Sequence, residues 1–250
     1  MGAFWRVATL RMKAMRKSRH DVYGVVAAAV LVVLANLVPG LRLALLPLTY
    51  LNTHIHELAH ALAAWGTGGH PQRILVHADG SGVTPVSGGL IVVTASAGYL
   101  GATLAGAGLM LAARKAKDAR LALYVLIAAL VVEATLLRGD IVGLVSYAAW
   151  LAALIFVGTR ATNDWISRGI GFLGAMQCLN ALRSLGDLWN VTKSGVTQSD
   201  AGIMQQVTGI PALVWSLLWA LAGIAIGFAA LRQMAKEGPR SGSSSRRQGI

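Results

Sequence analysis

The chain has 250 residues, of which 55% are hydrophobic and only 13% charged, and its mean hydropathy is +0.60. Charge this sparse, about half that of an ordinary soluble domain, together with continuous apolar runs of about 20 residues, excludes a soluble globule and a β-barrel and points to an all-α multi-pass membrane protein. The net charge of +12 sits in clusters that flank those runs, Arg6 to Arg19, Arg114 to Arg120 and Arg232 onward; this is the positive-inside pattern and a match for anionic headgroups, so nucleic acid is not an expected partner.

Residues 1–21 read as a basic cytoplasmic tail, and Val22 to Val38 as a first apolar span. Its long charged lead-in favours a retained anchor over a cleaved signal peptide. Pro39-Gly40 breaks that helix. Leu41 to Trp65 is a second apolar segment, stopped by Gly66, Gly68 and Gly69. Within it stands His56-Glu57-Leu58-Ala59-His60, an H-E-x-x-H sequence.

Residues 70–88 are the one stretch expected to leave the helical pattern. Arg73 to His77 and Val83 to Val86 flank Asp79-Gly80, which places a small β-hairpin after the motif helix. Its edge offers a strand on which an extended substrate can pair; an ordinary connecting hairpin is the plainer alternative. Gly89 to Ala113 carries Thr94, Gly98, Gly101, Ala105 and Gly108 at helical spacing. Such a small-residue face lets helices approach closely, and the motif helix is the expected neighbour.

Leu121 to Leu137 and Ile141 to Val157 form a helical hairpin around Arg138-Gly139-Asp140. Glu133, the one acid inside its first span, is expected to be satisfied near the span end by Arg138 or by headgroup water. Trp165 to Trp189 is a further helix, with Trp at both ends for the two interfaces. Asn180, Ser184 and Asp187 share one of its faces. Ser199-Asp200 opens a short helix with Ser as N-cap. Pro211 begins the last span, to about Leu231, and residues 232–250, rich in Ser, Gly and Arg, read as a disordered basic tail.

The membrane domain is thus residues 22–231, with about six to seven transmembrane or re-entrant helices of membrane length. An odd number of crossings before the Arg114–Arg120 loop conflicts with the charge rule. A re-entrant motif segment removes the conflict and leaves both termini cytoplasmic in a multi-pass protein of the cell membrane.

On a helix, His56 and His60 lie one turn apart on one face and present two imidazole nitrogens to one metal ion, while Glu57 stands beside them as a proton acceptor. Ionisable groups inside an apolar span need a partner, and a divalent cation is the most economical one. The single cysteine, Cys178, rules out a thiolate cage and reads as a packing residue. His and carboxylate ligation suits a catalytic zinc, which takes three protein ligands and leaves one position open. The third ligand is open between several residues. Position 66, where soluble relatives of the motif carry a His, is Gly. His70 requires a tight fold-back, and His54 lies on a different helix face. Asp187 is preferred, with Asn180 and Ser184 able to orient it or to hold a substrate backbone. Asp200 is the alternative.

H-E-L-A-H-A in an apolar helix resembles the site-2 protease group of intramembrane zinc metallopeptidases. Gly68-Gly69, Asp79-Gly80-Ser81-Gly82, Ser96-Ala97-Gly98-Tyr99-Leu100-Gly101 and Ser199-Asp200-Ala201 are similar more specifically to its bacterial B-like branch. The resemblance spans about residues 45 to 230 and implies Zn2+, Glu57 as base, His56 and His60 as ligands, and an Asp from a later helix, carried here to Asp187. Leu185-Gly186-Asp187 departs from the family's Leu-Asp-Gly order and lacks its proline. The function expected is an intramembrane zinc metalloendopeptidase that cleaves transmembrane or membrane-anchored proteins. The alternative is a non-catalytic membrane protein with a structural or partner-binding zinc site. A transporter with histidines along an ion path ranks last, because no paired half-helix repeats are visible.

Overall fold

The computed structural model describes residues 38–179 and 199–236, with parts of 23–35. It is an α-helical membrane bundle with two small antiparallel strand pairs. In chain order the elements are α1 (Pro39–Ala44), α2 (Leu46–Gly66), β1 (His70–Pro71), β2 (Leu75–Val76), β3 (Gly82–Val83), β4 (Val86–Ser87), α3 (Ile91–Ala112), α4 (Ala116–Leu136), α5 (Ile141–Arg160), α6 (Asn163–Cys178), α7 (Asp200–Thr208) and α8 (Ala212–Lys236).

Four of these helices, α3, α4, α5 and α8, are long and apolar enough to cross a membrane. Their outward faces carry Leu121, Val125, Ile155, Phe156, Leu221 and Phe228, all exposed, as bilayer-facing positions require. The motif helix α2 is 21 residues long but is not among the four, because Asn52, Thr53, His54, His56, Glu57 and His60 dilute its apolar run. α4 begins at Ala116, within the basic stretch expected to be a loop, with Asp118 in its first turn. α8 runs on to Lys236, past the Leu231 expected as its end.

α3 is the central helix, packed between α2, α6 and α8. Its small residues make this possible. A methyl at Gly98 would overlap the imidazoles of His56 and His60, and one at Gly101 would come within 2.7 Å of the Ala59 Cβ. Further along, Gly106 faces Gly174 of α6, where an added Cβ on either would approach the other's carbonyl oxygen to 2.6 Å. The expected contact with the motif helix is present at Gly98 and Gly101, whereas Ala105 and Gly108 of the expected face are exposed and a different residue, Gly106, seats α6. Cys178 closes the α6 contact against Met110 and Thr103 of α3, its Sγ 3.7 Å from Met110 Sδ. The principal apolar cluster joins Leu51, Leu109, Leu123, Leu130, Tyr147 and Ile170 from α2 to α6.

The hairpin forms as its sequence indicates. Leu75 pairs with Val83 and Val76 with Gly82, and the turn closes with His77 C=O accepting from Gly80 N–H at 2.9 Å. Asp79 Oδ1 accepts from both Ser81 N–H and Ser81 Oγ, and Gly80 has φ +86°, a region open to glycine at little cost. The β2 edge is not open to a substrate strand. Ile74 N–H donates to Leu137 C=O at 2.6 Å, Ile74 bridges Arg138 in parallel, and Val76 N–H donates to Asp140 Oδ2 at 2.6 Å. Asp140 also N-caps α5 through Gly143 N–H, so one carboxylate ties the hairpin to the start of a span.

Candidate metal centre

α2 places His56 and His60 one turn apart, facing the gap left by Gly98 of α3. α7 brings the carboxylate. Ser199 caps it, its Oγ accepting from Gly202 N–H at 3.1 Å, and Asp200 follows in the first turn. The helix ends on Gly209 with φ 73°, the left-handed residue common at helix ends. It is docked on α3 and α8 through Met204, fully buried with Ala95, Tyr99 and Trp219. Gln205 Oε1 accepts from Ala212 N–H at 2.8 Å, and Thr208 Oγ1 accepts from Trp215 Nε1–H at 3.1 Å.

The three ligand atoms form a compact triangle. His56 Nε2 is 3.1 Å from His60 Nε2 and 3.1 Å from Asp200 Oδ2, and His60 Nε2 is 3.3 Å from Asp200 Oδ2. Ligand atoms about 2.0–2.1 Å from a tetrahedral zinc lie about 3.3 Å from one another, so the triangle has the size of one face of a zinc tetrahedron. His60 Nδ1–H donates to Thr94 C=O at 2.6 Å, which favours the tautomer that leaves Nε2 available to a metal. Tyr99 meets the His56 ring edge-on at a centroid distance of 4.6 Å and stacks on Trp219 at 5.3 Å. The side chains of His56 and Asp200 remain 13% and 18% exposed, so the group is not wholly sealed inside the bundle.

Among the described residues this is the one set of three His, Cys, Asp or Glu groups close enough to share an ion. Asp200, the alternative third ligand, is thus the carboxylate brought to the histidines. Asp187, the preferred one, lies outside the described residues, as do Asn180 and Ser184. His70 is exposed on β1. Glu57 is buried beside the pair, its Oε2 accepting from Thr84 Oγ1 at 2.7 Å.

Glu133 does not sit as expected. It is fully buried rather than served by Arg138 or headgroup water, and its carboxylate pairs with His54 Nδ1. His54 Nε2 lies 2.7 Å from Ser146 Oγ, and Ser146 donates to Gly143 C=O at 3.0 Å. Sequence reasoning missed the pair, although a lone acid in one span and a spare His in another are a recognisable signal, since each needs a counterpart.

A search of curated proteins and one of solved structures each returned no match. The family model described as Peptidase M50B-like matches residues 23–230, the stretch that carries α2, the hairpin, the small-residue helix and Asp200. The chain therefore belongs to the Peptidase M50B-like family.

Proposed function

We propose that this protein is an intramembrane zinc metalloendopeptidase whose metal is held by His56, His60 and Asp200. The observation that carries the reading is the triangle of Nε2, Nε2 and Oδ2 atoms at 3.1, 3.1 and 3.3 Å. Two imidazole nitrogens and a carboxylate oxygen converging on one point, with one imidazole fixed by a backbone carbonyl, are the donor set of a catalytic zinc with its fourth position open. When bound, zinc supplies Lewis acidity that polarises a peptide carbonyl and acidifies water.

The chain's own residues do the rest. Glu57 accepts the proton from the attacking water and delivers it to the leaving amine. Thr94 C=O keeps His60 in its ligating tautomer. Gly98 leaves room for both imidazoles. The substrate is a transmembrane or membrane-anchored protein, entered from the bilayer and unwound at the scissile bond, because a helical peptide holds its carbonyls in internal hydrogen bonds. The basic clusters support a multi-pass arrangement with both termini cytoplasmic.

The test is metal removal. Purified protein in proteoliposomes, dialysed against a chelator, is expected to lose cleavage of a reporter with a single transmembrane segment, and stoichiometric zinc is expected to restore it. Cleavage that survives removal of the metal contradicts the reading. Zinc retention with no cleavage of any reporter favours a structural or partner-binding site instead.

A further inference from the structure

The hairpin lies on a definite line of α2. Tyr50 OH donates to Ala78 C=O at 3.0 Å, Thr53 Oγ1 donates to Gly80 C=O at 2.6 Å, and Thr84 Oγ1 donates to Glu57 Oε2 at 2.7 Å. Residues 50, 53 and 57 follow helical spacing, so the three contacts form one seam along a single face. On its other side the hairpin is tied to the α4–α5 connection through Leu137 and Asp140. It is therefore braced from both sides, and the third contact of its seam falls on the proposed base.

Thr84 directly follows β3, two residues after Gly82, and both positions lie against the Glu57 side chain. The Thr84 hydroxyl occupies Glu57 Oε2 and also reaches the Glu57 backbone carbonyl at 3.2 Å. Gly82 lies against the other carboxylate oxygen, where an added Cβ would approach Glu57 Oε1 to 2.8 Å. One oxygen is thus hydrogen-bonded and the other has space because position 82 has no side chain. Thr is stiff at χ1, which suits a group that must hold a carboxylate in one rotamer.

We propose that Thr84 is a positioning residue for the catalytic base. It holds Glu57 Oε2 so that the carboxylate keeps one orientation and Oε1 serves the proton transfer. This rests on the assignment of Glu57 as base in the reading above. The hairpin's role is then to orient the base through a single hydroxyl, in addition to connecting two helices.

The experiment compares wild type, Thr84→Val and Thr84→Ser, each purified with its zinc content measured and assayed on the same transmembrane reporter. Thr84→Val is expected to keep its zinc and its KM and to lose about tenfold in kcat, the lower end of what a hydrogen bond to a charged group supplies. Thr84→Ser, which keeps the hydroxyl, is expected to restore kcat. A second readout needs no turnover. The infrared carboxylate stretch that disappears in Glu57→Gln should shift in Thr84→Val and return to its wild-type position in Thr84→Ser. An active wild type with unchanged kcat and an unmoved band in Thr84→Val overturns the proposal and leaves the function standing. A wild type that neither holds zinc nor cleaves overturns the function, and the positioning role falls with it.

Discussion

Glu57→Gln is expected to lower turnover by about 10²- to 10⁴-fold, the range of a positioned general acid–base group, while zinc content stays at the wild-type level. The substitution preserves shape and keeps an acceptor for Thr84 Oγ1, which in the wild type donates to Glu57 Oε2 at 2.7 Å. It removes only the ability to take a proton. Glu57 is not one of the three groups whose ligand atoms converge, so metal affinity has no direct reason to fall. The two effects are read separately, by cleavage of a transmembrane reporter in proteoliposomes and by elemental analysis of the same preparation. Undiminished turnover removes Glu57 from the chemistry. Joint loss of turnover and metal places it in the ligand set instead.

The second large effect is on stability. Glu133→Ala is expected to destabilise the protein by about 1–3 kcal/mol, the usual result of leaving one partner of a buried hydrogen-bonded pair unsatisfied. His54 is 0% exposed and Glu133 is 1% exposed, so neither can recover solvation when the other is lost. His54→Ala should cost a similar amount. Replacing both by Leu should cost clearly less than the sum of the two single changes, because no orphaned polar group remains. Equilibrium unfolding in detergent micelles measures all three. Single variants within about 1 kcal/mol of wild type, the ceiling for a solvent-exposed pair, would show that the two groups are not coupled in the membrane bundle.

The helical class, the hairpin and the placing of His56 and His60 on one helix face were legible in the sequence because each rests on short-range pattern. H-E-x-x-H needs only one helical turn to bring His56 and His60 together. Asp79-Gly80 needs only a tight turn. The spacing of Gly98 and Gly101 marks a close helix contact and matches the observed contact with α2. The approach of Asp200 to the histidines was harder to read, because Asp200 lies 144 residues from His56 and no local pattern records that distance. Its context also offers a second reading. Ser199-Asp200 reads as a cap, and it is one, with Ser199 Oγ accepting from Gly202 N–H. Capping by the serine leaves the carboxylate free to point at the histidines, so the two roles coexist. The preferred Asp187 drew on the polar face shared with Asn180 and Ser184, residues outside those described.

The His54–Glu133 pair was illegible for a related reason. Each residue has an adequate local explanation, the one beside the motif and the other near a span end. Only the meeting of α2 with α4, and with α5 where Ser146 also contacts His54, joins them. The same holds for Thr84. Its side chain is unremarkable in a hairpin, and its contact with Glu57 depends on how the hairpin lies along α2.

The central claim is that His56, His60 and Asp200 hold one zinc ion. The most direct measurement is zinc content together with X-ray absorption at the zinc edge, on purified wild type and on Asp200→Ala. The account predicts about one ion per chain with two imidazoles in its shell, and in Asp200→Ala a loss of affinity greater than the 10- to 100-fold typical of groups that merely support a ligand. Wild type that takes up no zinc, or an Asp200→Ala protein that binds it as tightly with an unchanged spectrum, would contradict the account.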